Sequence, residues 1–199
     1  KKGFTDPTKG KAVKDVMNGV RKLYSKPPKK AKPITLVYLR QIITALDDQA
    51  ASAKHALLYP DLTGDKALDL ANTRDARFRQ LRAARDRAIL LVGFWGAFRS
   101  DELARIDAGR VEAVRGQSMR IFLPYSKGDR DAKGSYHDIP ALADYCPVSA
   151  YFEWLEESGI RERAVFRGIT RWGQVSYNGL TPKSLGPILR DMCINAGIN

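Results

Sequence analysis

Residues 88–103 read AILLVGFWGAFRSDEL. The first eleven, 88–98, carry no charge and show no alternation of apolar and polar positions. Such a run predicts a helix buried on most of its faces, and one too short to cross a bilayer. Arg99 ends the run, and Asp101 and Glu102 follow. A guanidinium at the end of a buried helix is costly unless it is paired or binds an anion. Glu102 lies three residues on and can hold Arg99 through charge-assisted hydrogen bonds. What remains is a rigid fork with spare donors, suited to a phosphate oxygen. A purely structural Arg–Glu pair closing a helix is the alternative on local grounds.

Upstream of this run the helix is expected to begin at Thr73. Its first half, RDARFRQLRAARDR, has Phe78 and Leu81 as core contacts and its basic residues on a solvated face. An earlier helix is expected over 36–46, capped by Thr35, with Leu36, Leu39, Ile42, Ile43 and Leu46 on one face. Residues 48–72 are weakly patterned. Downstream, 111–114, 119–125 and 136–139 read as strands, and the polar loop SKGDRDAKGS (126–135) joins the last two. Pro147 opens a helix that ends near Gly159, and Thr181-Pro182 opens another that ends at Gly197. TRWGQVSYNG (170–179) reads as loop. The fold class is therefore mainly α with a small three-stranded antiparallel sheet, an α+β arrangement.

Charge is concentrated at the other end of the chain. Of the net +12, residues 1–40 carry twelve Lys/Arg against Asp6 and Asp15, a local +10. A block this basic points to a polyanion, and nucleic acid fits best. Val13, Val16, Met17 and Val20 recur at helical spacing, with Lys11, Lys14, Arg21 and Lys22 mainly off that stripe, which gives a basic amphipathic helix. YSKPPKKAKP (24–33) follows as a stiff cationic linker. A domain boundary is placed there, dividing 1–32 from 33–199. No run is long enough for a membrane span, and no apolar signal sequence opens the chain. Two cysteines, Cys146 and Cys193, make no disulfide framework, so a reduced, cytoplasmic protein is expected. With His55 and His137 the only histidines, no zinc site is expected, and no metal or cofactor is called. His137, in the third strand, reads as structural.

Gly96-Ala97-Phe98-Arg99-Ser100-Asp101-Glu102-Leu103 resembles the G-x-x-R-x-x-E-L segment of the tyrosine recombinases (phage-type integrases). Ser126-Lys127-Gly128-Asp129 through Gly134 resembles their S-K-T-D-x-x-G hairpin. Further similarity lies in Arg85-Asp86-Arg87-Ala88, Cys146-Pro147-Val148 and Val165-Phe166-Arg167, and covers about 9–199. The small sheet within a helical chain also fits that family's catalytic domain. The resemblance implies a bacterial or phage enzyme that cuts and rejoins double-stranded DNA through a 3′-phosphotyrosyl intermediate, acting as a tetramer on DNA. It implies Arg99 as the first catalytic arginine, Glu102 as its orienting partner and Lys127 as the acid for the leaving 5′ oxygen. Residues 1–32 would then close a core-binding domain, with the catalytic domain after them. Lys11, Lys14, Arg21, Lys29, Lys30, Arg130, Lys133 and Lys183 are the candidate DNA contacts.

The chain departs from the family in lacking the second half of its active site and the earlier helices of its core-binding domain. No His-x-x-Arg follows Gly197, and every tyrosine, from Tyr24 to Tyr177, precedes the place where the nucleophile belongs. The 199 residues are therefore expected to be part of a longer protein, able to bind DNA but not to cleave it alone. The alternative is a non-catalytic DNA-binding module of the same fold. A third reading, a basic helical protein of accidental resemblance, predicts that Arg99→Ala leaves DNA-related activity unchanged.

Overall fold

The computed structural model describes residues 6–24, 32–125 and 133–198. Lys127, Lys29, Lys30 and Arg130 lie outside the described residues. The chain divides into two compact units, Lys1–Ile34 and Thr35–Asn199.

In the first unit the Asp6 carboxylate accepts from the Thr8 N–H (3.0 Å) and hydroxyl (2.7 Å), setting up a 3₁₀ turn over Pro7–Lys9. Helix α1 (Lys11–Tyr24) follows and buries none of its residues within the unit. Its apolar stripe is open: Val13, Val16, Met17, Val20 and Leu23 are all exposed.

The second unit is built on two long helices, α2 (Leu36–Leu58) and α3 (Lys66–Trp95). Thr35 caps α2 through its hydroxyl, and Asp65 caps α3 by accepting from the N–H groups of Ala67 (2.8 Å) and Leu68 (3.4 Å). Both helices exceed their expected spans. Residues 47–58 of α2 and 66–72 of α3 are rich in alanine and charge, which favour helix without marking an apolar face. At its other end α3 stops at Trp95, so Arg99 lies beyond the buried helix and opens the short helix α4 (Ser100–Ala104).

Strands β1 (Val111–Val114), β2 (Ser118–Leu123) and β3 (Ser135–Pro140) form an antiparallel meander in the order β1-β2-β3. Met119, Ile121 and Leu123 alternate inward and are fully buried. On the other face Arg120 and Asp138 sit directly opposite each other and pair at 2.6 Å. Helix α5 (Pro147–Ser158) packs on α3. The Trp154 indole N–H reaches the Val165 carbonyl at 2.8 Å, so the largest core side chain is buried with its polar atom satisfied.

The segment read as loop at 170–179 is a second sheet instead. Strands β4 (Arg167–Ile169) and β5 (Val175–Gly179) pair antiparallel with an irregularity between Arg167 and Ile169. Helix α6 (Pro182–Asn195) closes the unit against α2, α3 and α4, with Leu185 and Met192 buried and Ile188 and Leu189 half-buried.

The arginine-rich half of α3 is a solvated face only in part: Arg74 and Arg79 are exposed, but the others turn to partners. Arg77 pairs with Glu157 of α5 (2.7 Å), and Arg87 with Asp47 of α2 (3.0 Å) and Glu153 of α5 (2.7 Å). Arg82 reaches Asp86 (3.5 Å) and Asp191 of α6 (3.0 Å), while Arg85 grips Asp86 at 2.6 Å. Arg85 and Asp86 are buried, and the set ties α3 to three neighbouring helices. Among the described residues no helix is long and apolar enough to cross a membrane, and no group of His, Cys, Asp or Glu is placed to hold a metal ion.

Candidate functional site

The chain reverses between α3 and α4 in four residues. Gly96 caps α3, its N–H on the Val92 carbonyl at 2.9 Å, and Ala97 takes the left-handed conformation at φ 50°. Phe98 then folds back and donates its N–H to the Gly93 carbonyl at 3.2 Å. A Cβ on Gly96 would lie 2.3 Å from the Phe98 ring, so only glycine fits beneath it. Leu103, buried, packs against α3 at Gly93 and holds α4 down.

Arg99 thus becomes the first flanking residue of a new helix, in extended conformation at φ −70°, ψ 156°. Glu102 is the third residue of that helix and turns back onto it. Its Oε2 accepts the Arg99 backbone N–H at 2.9 Å, and its Oε1 accepts from Nη1 of the guanidinium at 2.9 Å. The two partners differ sharply in exposure: the Glu102 side chain is 6% exposed and that of Arg99 65%. Burial works to raise the Glu102 carboxyl, but the Arg99 N–H and guanidinium, with His137 nearby, outweigh it and hold it below its ordinary range. The acid is therefore ionised, and it orients the guanidinium while leaving the outer edge of the fork open to solvent.

Two contacts around this pair were not legible as such. His137 is not a plain strand residue: its ring lies 4.9 Å from that of Phe98 and its Nε2 is 3.1 Å from the Ser135 hydroxyl, which joins β3 to the arginine turn. Arg105 joins α4 to the end of β2. It binds the Asp101 carboxylate (2.6 Å) and carbonyl (3.1 Å), donates to the Tyr125 carbonyl (3.2 Å), and stacks over the Tyr125 ring at 4.0 Å. The i,i+4 spacing of Asp101 and Arg105 was the available signal for half of this contact. Tyr125 is two residues before Lys127 in sequence.

The candidate DNA contacts fall in both units. Lys11, Lys14 and Arg21 stand exposed on α1, in the first. Lys183 is exposed in the first turn of α6, and α6 packs against α4. Lys133 lies on the surface two residues before β3. Tyr151 is buried in α5, and burial pushes its hydroxyl up to about 12, far from what a nucleophile needs.

No family model matches the chain. A stretch of 122 residues is 34% identical to a curated protein described as an integrase/recombinase XerD homolog from Selenomonas ruminantium. The match takes in 60% of this chain and 36% of the relative, so the chain spans about a third of that protein's length. This similarity supports a relationship to the tyrosine recombinases at the level of the family.

Proposed function

We propose that this chain is part of a site-specific DNA recombinase or integrase that binds double-stranded DNA and supplies one half of a phosphoryl-transfer site. The observation that carries the reading is the Arg99–Glu102 pair, in which a buried acid aims an exposed guanidinium outward. Its free edge suits the non-bridging oxygens of a phosphodiester, whose charge grows in the transition state. Lys127 would protonate the departing 5′ oxygen. A tyrosine outside the 199 residues would attack the phosphorus and form the 3′-phosphotyrosyl link. A free 5′-hydroxyl would then reverse that step and rejoin the strand.

In this reading residues 1–32 end a core-binding domain and 33–199 belong to the catalytic domain. Lys11, Lys14, Arg21, Lys29, Lys30, Arg130, Lys133 and Lys183 neutralise backbone phosphates. The complete protein works as a tetramer on DNA in a bacterial or phage-infected cytoplasm. The similarity to an integrase/recombinase supports this, as does the concentration of +10 in the first 40 residues.

The test is a pair of measurements on this chain with labelled duplex DNA. Binding is expected to weaken steeply with salt, and Arg99→Ala is expected to weaken it further. Denaturing electrophoresis is expected to show no covalent protein–DNA adduct. Failure to bind at low salt would overturn the DNA reading. An adduct would overturn the placement of the nucleophile outside these residues.

A further inference from the structure

The arginines of the second unit sort into two kinds. On α3, Arg77, Arg79, Arg82, Arg85 and Arg87 all pair with carboxylates, whereas Arg74 has no such partner among the described residues and lies over the Trp172 ring at 5.2 Å. Among the described residues six arginines stack on aromatic rings. Arg105, Arg115 and Arg120 are also ion-paired, to Asp101, Glu156 and Asp138. The three with no acid among the described residues are Arg74, Arg171 (4.3 Å from the Trp172 centroid) and Arg163 (4.8 Å from that of Tyr177). All three lie on rings of the β4–β5 hairpin, and both rings are exposed, Trp172 at 49% and Tyr177 at 62%.

The tip that carries Trp172 is well braced. The Thr170 N–H donates to the Gln174 carbonyl at 2.8 Å, and the Thr170 hydroxyl accepts from the Trp172 and Gln174 N–H groups at 3.3 Å. Gly173, at φ 70°, sits directly on α3. A Cβ there would lie 3.1 Å from the Arg77 Cγ and 3.2 Å from the Arg74 carbonyl. Stacking on a ring strips water from one face of a guanidinium and fixes its plane, while its N–H edge stays open. Two exposed guanidiniums on one indole, neither paired with a carboxylate among the described residues, present N–H edges that an anion can take.

We propose that Arg74, Arg171 and Trp172 form a phosphate-backbone contact for nucleic acid, separate from the Arg99 site. The proposal rests on the reading of this chain as a DNA-binding protein and extends it to a face that reading does not use. A phosphodiester takes guanidinium edges bidentately, and the net +12 draws a polyanion to the whole molecule. Arg74 precedes Trp95 by 21 residues on α3, so about 30 Å of helix separates the patch from the Arg99 end. At about 3.4 Å per base pair, one duplex reaches both only if it extends roughly nine base pairs from the phosphate at Arg99.

The test compares this chain with the double variant Arg74→Gln/Arg171→Gln and with Trp172→Leu, by fluorescence anisotropy on duplexes of roughly 30 and roughly 8 base pairs across a salt series. On the long duplex the double variant is expected to bind about tenfold more weakly at low salt, with a salt slope lower by about 1.8, the value for two phosphates. Trp172→Leu is expected to weaken binding in the same sense, because the guanidiniums lose their platform. On the short duplex the loss is expected to be under about twofold. Circular dichroism melting checks that the variants remain folded. Unchanged affinity and slope for the double variant on the long duplex, while Arg99→Ala still weakens binding, would overturn this contact and leave the function intact. No binding by the parent chain would overturn both. Loss of self-association in sedimentation with no change in DNA affinity would assign the patch to protein contact and also overturn the proposal.

Discussion

Arg85 and Arg99 each sit beside a carboxylate, yet the two pairs are built in opposite senses. Around Arg85 both partners are buried, and the Asp86 carboxylate is shared with Arg82, which continues to Asp191. At Arg99 the acid is buried and the guanidinium is out, held by one side-chain bond and left with most of its fork unused. The first arrangement stabilises helix contacts. The second buries the acid and leaves the guanidinium it holds in solvent. Exposure, more than pairing, separates a structural arginine from one available for chemistry.

Four measurements test this contrast. Asp86→Ala strands Arg85 in the core, and chemical denaturation is expected to show a loss of about 3–5 kcal/mol. Glu102→Gln keeps the shape but removes the charge that holds Arg99, with an expected stability loss of about 1–2 kcal/mol and weaker DNA binding in titration. Arg99→Ala is expected to cost under about 1 kcal/mol in the same unfolding assay, because its guanidinium is largely in solvent, yet to weaken DNA binding at least as much as Glu102→Gln. A large stability loss at Arg99 with unchanged DNA affinity would make it a second structural pair.

The fourth is a pH series. The folded Glu102 releases its proton more readily than an unfolded carboxyl at the ordinary 4.5. Its contribution is therefore full above about that value and disappears as pH falls through the lower folded value. Wild type and Glu102→Gln are expected to converge in stability below that point and to differ above it. Parallel curves at all pH values would show that the charge on Glu102 does not matter to the fold.

Much of this was legible in the sequence, and the failures have physical causes. The uncharged run at 88–98 announced the core helix because burial on most faces leaves no other pattern. Its end was misplaced because the stop is set by Phe98 folding back over Gly96 toward His137, a contact across some 40 positions that local pattern does not encode. The three-residue spacing of Arg99 and Glu102 anticipated their contact. It gave no hint that Arg105 would tie α4 to Tyr125, which depends on where β2 ends. The β4–β5 hairpin was missed because its strands are short, polar and half-exposed, so neither alternation nor an apolar run marks them. Arg77, Arg82 and Arg87 of α3 looked solvated because the acids they reach lie on other helices.

One feature of α5 bears on how the molecule is handled at the bench. The residue that caps this helix is a thiol: Cys146 Sγ accepts from the N–H groups of Ser149 and Leu142, both at 3.4 Å. The sulfur is buried, while Cys193, the other free cysteine, is half-buried. A maleimide dye added to the native protein is therefore directed to Cys193, and a probe forced onto Cys146 would unseat the start of α5 along with Trp154 behind it. A single-label version is best made with serine at 146, since a hydroxyl can take over both bonds. Alanine there would leave two amide hydrogens without acceptors, and the dye would then report on a damaged molecule.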